Sequence, residues 1–175
     1  EVHEHPLDLQ LRCGCRAARR GTERQATQRQ GQCRRCEAQL VDAQLTRLDR
    51  ATGVSTPLLV ESDAAWINLH DDLRFLKDGR FLWPSVRDGN RHLYLFDAAG
   101  KPVRQLTKGP WNVSAVVGFA EAAGTVFFVG KEKSVLELQL YRVQLDGTGL
   151  KRLTGERGTH LVTAMAPNNR WAVDS

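Results

Sequence analysis

The chain has 175 residues, with 25 basic and 20 acidic side chains for a formal net charge of +5, and it is 41% apolar and 7% aromatic. That length would ordinarily sustain one self-contained core, yet the charge is uneven: residues 1–50 hold ten basic and seven acidic groups, the rest fifteen and thirteen. The near balance beyond residue 50 excludes an electrostatic footprint for nucleic acid there, and no stretch approaches the roughly 18 apolar residues of a membrane span.

Glu1 to Leu11 is charged and lacks the apolar run of a signal peptide. From Arg12 to Gln39 there are 28 residues without a single Val, Ile, Leu, Met, Phe, Trp or Tyr. Such a run cannot offset the cost of ordering its backbone, about 1–2 kcal/mol per residue. Residues 1–45 are therefore expected to be disordered or irregular. Three readings compete for this segment. Its eight arginines against two acids suit phosphate contacts, but with no aromatic residue to stack on bases they offer no sequence preference. Cys13, Cys15, Cys33 and Cys36 supply four thiolates; C-x2-C is a normal zinc half-site, whereas C-x-C is tighter than the usual knuckle. The third reading is favoured: a lysine-free run rich in Arg, Gln, Ala and Cys is what GC-rich coding DNA yields when translated out of frame.

From about residue 46 the chain reads as strands and tight turns. Phe81-Leu82-Trp83, Leu93-Tyr94-Leu95-Phe96 and Val126-Phe127-Phe128-Val129 are continuous apolar runs that suit inner strands covered on both faces. Tyr141, Val143 and Leu145 alternate with Arg142, Gln144 and Asp146, the period of a half-buried strand. Asp78-Gly79, Asp88-Gly89, Ala99-Gly100, Asp146-Gly147 and Asn168-Asn169 mark turns between them. Pro84 demotes the second half of its run to an edge or a bulge.

These elements recur. Leu93-Tyr94 through Gln105-Leu106-Thr107 returns 47 residues later as Leu140-Tyr141 through Arg152-Leu153-Thr154, while Gly79 and Gly124 are 45 apart. A weaker upstream copy places Gly53 47 residues before Gly100 and Trp66 45 before Trp111. The period is that of one four-stranded propeller blade. The fold class is all-β, a partial β-propeller of about two to three blades of four-stranded antiparallel sheet over residues 46–175. Propellers close with four to eight blades, so the chain is expected to be a slice of a larger ring; its start at Glu1 and its stop at Ser175 within a strand-like run agree with that expectation.

The run Trp66-Ile67-Asn68-Leu69-His70-Asp71-Asp72-Leu73-Arg74-Phe75-Leu76-Lys77-Asp78-Gly79-Arg80-Phe81-Leu82-Trp83, then Arg87-Asp88-Gly89, His92-Leu93-Tyr94-Leu95, Leu106-Thr107-Lys108-Gly109, Trp111, Leu140-Tyr141-Arg142-Val143, Arg152-Leu153-Thr154, Gly158-Thr159-His160 and Val173-Asp174-Ser175 resembles the propeller of bacterial dipeptidyl peptidase IV, in the prolyl oligopeptidase family of serine peptidases. The resemblance covers roughly residues 52–175. Val86, Pro84 and Asn168-Asn169 depart from it, each in or beside a turn. Residues 1 to about 45 carry no motif of the family.

The resemblance implies a parent enzyme that releases N-terminal X-Pro or X-Ala dipeptides through a Ser-His-Asp triad in an α/β-hydrolase domain. None of the six serines lies in a G-x-S-x-G elbow, so no catalytic residue carries over and the chain alone is expected to be inactive. Its implied role is to enclose the active site and admit short peptides. His70, Asp71 and Asp72 are the candidates for contact with the substrate cavity. His92 and His160 read as hydrogen-bonded structural residues, and Trp66 and Trp111 as packing between blades. Asn112-Val113-Ser114 fits the N-glycosylation pattern, which matters only in a eukaryotic secretory pathway. No cofactor is called for. The implied partners are peptide substrates, the hydrolase domain and, in the parent, a second subunit; bacterial members are often periplasmic or secreted. The alternative is a propeller-type protein-binding module without peptidase activity.

Overall fold

The computed structural model describes residues 42–49, 51–62, 70, 72–166 and 168–174, in two compact units, 1–69 and 70–175. The cysteine set and most of the segment 1–45 lie outside the described residues.

In the first unit, β1 (Asp42–Leu48) pairs antiparallel with β2 (Ser55–Ser62). β1 opens inside the segment that composition assigned to irregular structure, because Leu40 and Val41 end the apolar-free run and alternation resumes, with Ala43 and Leu45 buried. Asp49 caps the turn, its carboxylate accepting the amides of Ala51 at 2.9 Å and Thr52 at 3.0 Å. Those bonds hold its acidity below the ordinary carboxylate value, and Gly53 supplies the left-handed residue at φ 70°.

The second unit holds two antiparallel sheets whose strands follow chain order. One contains β3 (Arg74–Phe75), β4 (Phe81–Ser85), β5 (His92–Phe96) and β6 (Pro102–Gln105); the other β7 (Val113–Ala120), β8 (Thr125–Gly130), β9 (Gln139–Gln144) and β10 (Lys151–Arg152). A short 3-10 turn, Glu121–Ala123, joins β7 to β8. A last hairpin pairs β11 (Val162–Met165) with β12 (Ala172–Asp174). Every residue of β4 and β5 is buried, as continuous apolar runs require. Pro84 sits in β4 where the described pairing with β3 has ended, since β3 meets only Leu82 and Phe81; a missing amide there costs no ladder bond.

The sheets pack through one core. Leu82, Leu93 and Leu95 of the first meet Val113, Val126, Phe128, Tyr141 and Val143 of the second, with Trp111 from the segment between them. Trp111, Phe128 and Tyr141 stack with ring centroids 5.4–6.2 Å apart, offset aromatic contacts worth about 0.5–1.5 kcal/mol each beyond their buried area.

Both hairpins outside these sheets repeat part of a blade. Thr46 faces Pro57 and Arg47 faces Thr56, just as Tyr94 faces Gln105 and Leu95 faces Arg104, 48 residues on. Gln44-Leu45-Thr46-Arg47-Leu48 also echoes Gln139-Leu140-Tyr141-Arg142-Val143. β1 and β2 are thus third and fourth strands. In the turn between β11 and β12, the Asn169 amide bonds the Ala166 carbonyl, as Gly79 bonds Leu76 and Gly124 bonds Glu121. The three turn residues have φ of 55°, 85° and 58° respectively. β11 and β12 are thus first and second strands.

Candidate functional site

The sequence candidates lie at the entry to β3, the first strand of its sheet. His70 Nε2 donates to the Pro84 carbonyl at 2.8 Å, and its ring lies 4.3 Å, centroid to centroid, from that of Trp83. Nδ1 faces the Asp72 amide at 3.4 Å. Asp72 is spoken for on both oxygens: Oδ2 receives Arg91 Nη2 at 2.6 Å, and Oδ1 accepts the Val116 amide of β7 at 3.2 Å. Both charged side chains are more than four-fifths buried, a setting in which removing one partner is far costlier than at the surface. Asp71 lies outside the described residues. His70 and Asp72 are therefore brought together, but through their bonds to the sheets.

Arg91, which sequence reasoning did not single out, is the hub of this cluster. Besides Asp72, its guanidinium reaches the carbonyls of Val113 and Ser114, and its amide donates to Asn112 Oδ1 at 2.7 Å. One turn thereby holds the first strand of its own sheet and the start of the next sheet. Two donors in this region, Trp83 Nε1 and Arg91 Nε, are buried without a partner among the described residues. Nothing in the chain's local pattern flags Arg91; its role depends on a partner 19 residues upstream and carbonyls 22–23 downstream.

A second device explains the repeated Leu-Thr motif. Thr107 Oγ1 accepts the Leu93 amide at 3.0 Å and meets His92 Nδ1 at 3.1 Å, while His92 Nε2 donates to the Gly109 carbonyl at 2.9 Å. In the next sheet Thr154 Oγ1 accepts the Leu140 amide at 3.1 Å and donates to Gln139 Oε1, and Gln139 Nε2 donates to the Gly158 carbonyl at 2.9 Å. His92 and Gln139 are 47 residues apart and nearly inaccessible. An Nε2–H tautomer gives His92 the same donor and acceptor pattern as the glutamine amide. His160 bonds Asp174 through Nδ1 and the Glu156 carbonyl through Nε2 at 3.4 Å. The Asp174 bond raises its affinity for a proton above the ordinary histidine value.

No group of three or more His, Cys, Asp or Glu side chains suited to a metal occurs among the described residues, and none of their helices is long and apolar enough to cross a membrane. The geometry is that of stacked, polar-bolted sheets.

Residues 25–175 match the family described as dipeptidyl peptidase IV (DPP IV) N-terminal region. The chain belongs to that family. The matched span reaches back to residue 25, into the segment where no motif is recognisable by eye. "Probable dipeptidyl-aminopeptidase B" of Neosartorya fischeri is 32% identical over 102 residues, 53% of this chain and 11% of the relative. The protein of the same description in Pyrenophora teres f. teres is 26% identical over 136 residues, 70% of this chain and 15% of the relative. The crystal structure of Porphyromonas gingivalis dipeptidyl peptidase 4 superposes with a TM-score of 0.67 at 25% identity, over 76% of this chain and 19% of that one. The chain thus spans about a tenth to a fifth of its relatives' length. It is a piece of a dipeptidyl peptidase IV-type propeller. With fungal relatives and a bacterial structure side by side, the family is fixed and a bacterial source does not follow from it.

Proposed function

We propose that this part of the propeller serves a serine-type dipeptidyl peptidase, walling the cavity through which short peptides reach a hydrolase domain elsewhere in the protein. The observation that carries the reading is the family match over residues 25–175 on a chain whose sheets repeat as blades. Within that wall, His70, Asp71 and Asp72 are assigned to the cavity side, since they lead into the first strand of a blade. Asp72 is tied to Arg91 and to the Val116 amide, so its contribution is to set the shape of the rim while the charge is already paired.

The test is release of X-Pro and X-Ala dipeptides by the full-length protein. Activity is expected there, and none from the 175-residue chain, which has no G-x-S-x-G elbow. In the full-length enzyme Asp72→Ala is expected to raise KM while leaving kcat within a few-fold, with Asp72→Asn milder because the amide oxygen still accepts from Val116. A full-length protein that binds folded proteins and cleaves no dipeptide would favour the binding-module alternative.

A further inference from the structure

Much of what fastens the two complete sheets is repeated from one to the next. The threonine clip on the third strand occurs in both, at Thr107 and at Thr154. So does a backbone bond from the head of the third strand to the chain entering the next first strand. The Arg91 carbonyl accepts the Val113 amide at 2.8 Å, and 47 residues on the Leu138 carbonyl accepts the His160 amide, also at 2.8 Å. A contact that every blade needs for cohesion is expected to recur in this way.

The pair of Asp72 with Arg91 does not recur. Gly79, Gly124 and Asn169 hold the same turn position, and seven residues before each stand Asp72, Val117 and Val162. In the second sheet the place of Arg91 is taken by Leu138. Valine and leucine side chains pack, but they form neither an ion pair nor a bond to a carbonyl. The charged pair is thus an addition at one blade entry, over and above the repeated fastening. Burying it there carries a desolvation cost that apolar residues avoid, so cohesion alone does not account for it. The same entry carries His70, whose Nδ1 faces the Asp72 amide at 3.4 Å.

We propose that Arg91 is a positioning residue for peptide substrates. Its guanidinium holds Asp72 Oδ2 at 2.6 Å and reaches the Val113 and Ser114 carbonyls of β7, which fixes His70 and Asp72 at a set distance from the first strand of the next sheet. The inference rests on the reading of that entry as part of the cavity wall. Bonds in several directions suit the planar fork of a guanidinium, whereas the point charge of a lysine satisfies fewer of them at once. Arg91 acts through Asp72 and His70 and not on the reacting bond, so it bears on how well a peptide is held before reaction and not on the chemical step.

Kinetics of dipeptide release by the full-length protein test this. Arg91→Ala is expected to raise KM for X-Pro substrates roughly ten-fold with kcat within about two-fold, whereas a role in folding alone would lower the active fraction, and so kcat, at constant KM. Arg91→Lys should fall between. Combining Asp72→Ala with Arg91→Ala removes both charges and strands neither, and it should raise KM no further than Asp72→Ala does, since the two residues act as a unit. That double variant carries the test if the unpaired Asp72 keeps Arg91→Ala from folding. Leu138→Ala, at the same place in the next sheet, should leave KM as it is. An unmoved KM in Arg91→Ala, a loss confined to kcat, additive effects in the double variant, or an equal rise in Leu138→Ala overturns the positioning role and leaves the peptidase reading intact. Wild-type protein that releases no dipeptide overturns that reading and this inference with it.

Discussion

The hydroxyl of Thr107 serves two buried partners, the Leu93 amide and the His92 ring, and Thr154 does the same for Leu140 and Gln139. Replacing Thr107 by valine keeps the shape and strands both. Leaving a buried donor unsatisfied costs about 1–3 kcal/mol, so Thr107→Val is expected to lower the urea midpoint accordingly, with Thr107→Ser close to wild type. Equal midpoints for all three proteins would remove the hydroxyl from the account. The Leu-Thr motif is visible in the sequence as a repeat, but its purpose is not, because the partner amide belongs to another strand 14 residues away. Arg91 is hidden for the same reason. The hydrogen-bonded reading of His92 is open to sequence reasoning because a polar residue at the head of an apolar strand needs a partner; which partner is a matter of tertiary placement. His160 gives a pH prediction. Its raised proton affinity comes first from the Asp174 bond, so the stabilisation is fully present below the unfolded pKa and fades as pH rises through the folded one. NMR titration of His160 should show a midpoint above the ordinary histidine value, and Asp174→Asn should bring it down; an unchanged midpoint would sink the assignment.

At the scale of the element, turns are what the sequence made most legible. Gly79 and Gly124 mark equivalent hairpin ends, and Asn169 holds the same left-handed conformation at φ 55°. Asparagine is among the few residues that adopt it readily. Asn169→Gly should keep the turn while losing the side-chain bond to the Phe119 carbonyl. Asn169→Val should cost more, about 1–2 kcal/mol from backbone strain, which faster amide hydrogen exchange in β11 and β12 would reveal; equal exchange in the two variants would contradict the strain argument. Asp78 and Asp146 cap their turns with carboxylates held below the ordinary value by bonds to Arg80 and Thr148. Their contribution is present above the unfolded pKa and lost as pH falls through the folded one. Strand identity was legible where apolar runs or alternation persist, as in β4, β5, β8 and β9. It was less legible in β1 and β2, whose partly buried, Thr- and Gln-containing residues carry little periodicity; the echo of β9 in β1 becomes evident only once both strands occupy the same place in a hairpin.

At the scale of the whole molecule, unit 70–175 behaves as one body because its core draws side chains from two sheets at once. Leu82 and Leu95 lie on one side of that core and Phe128 and Tyr141 on the other, while the Asp72 bond to the Val116 amide and the Arg104 bond to the Asp146 carbonyl clamp it at separate places. If the sheets were independent, a cavity in one would leave the other protected. Phe128 is fully buried and stacks on both Trp111 and Tyr141, so Phe128→Ala should cost about 3–5 kcal/mol through lost burial and the cavity left behind. That loss is a large part of what a domain of this size has in reserve. It should therefore expose amides in β4 and β5 to hydrogen exchange together with those of β8 and β9, although no atom of the first sheet has been altered. Exchange that rises in the second sheet alone would show that the blades open independently, and that the shared core contributes less to cohesion than its burial implies.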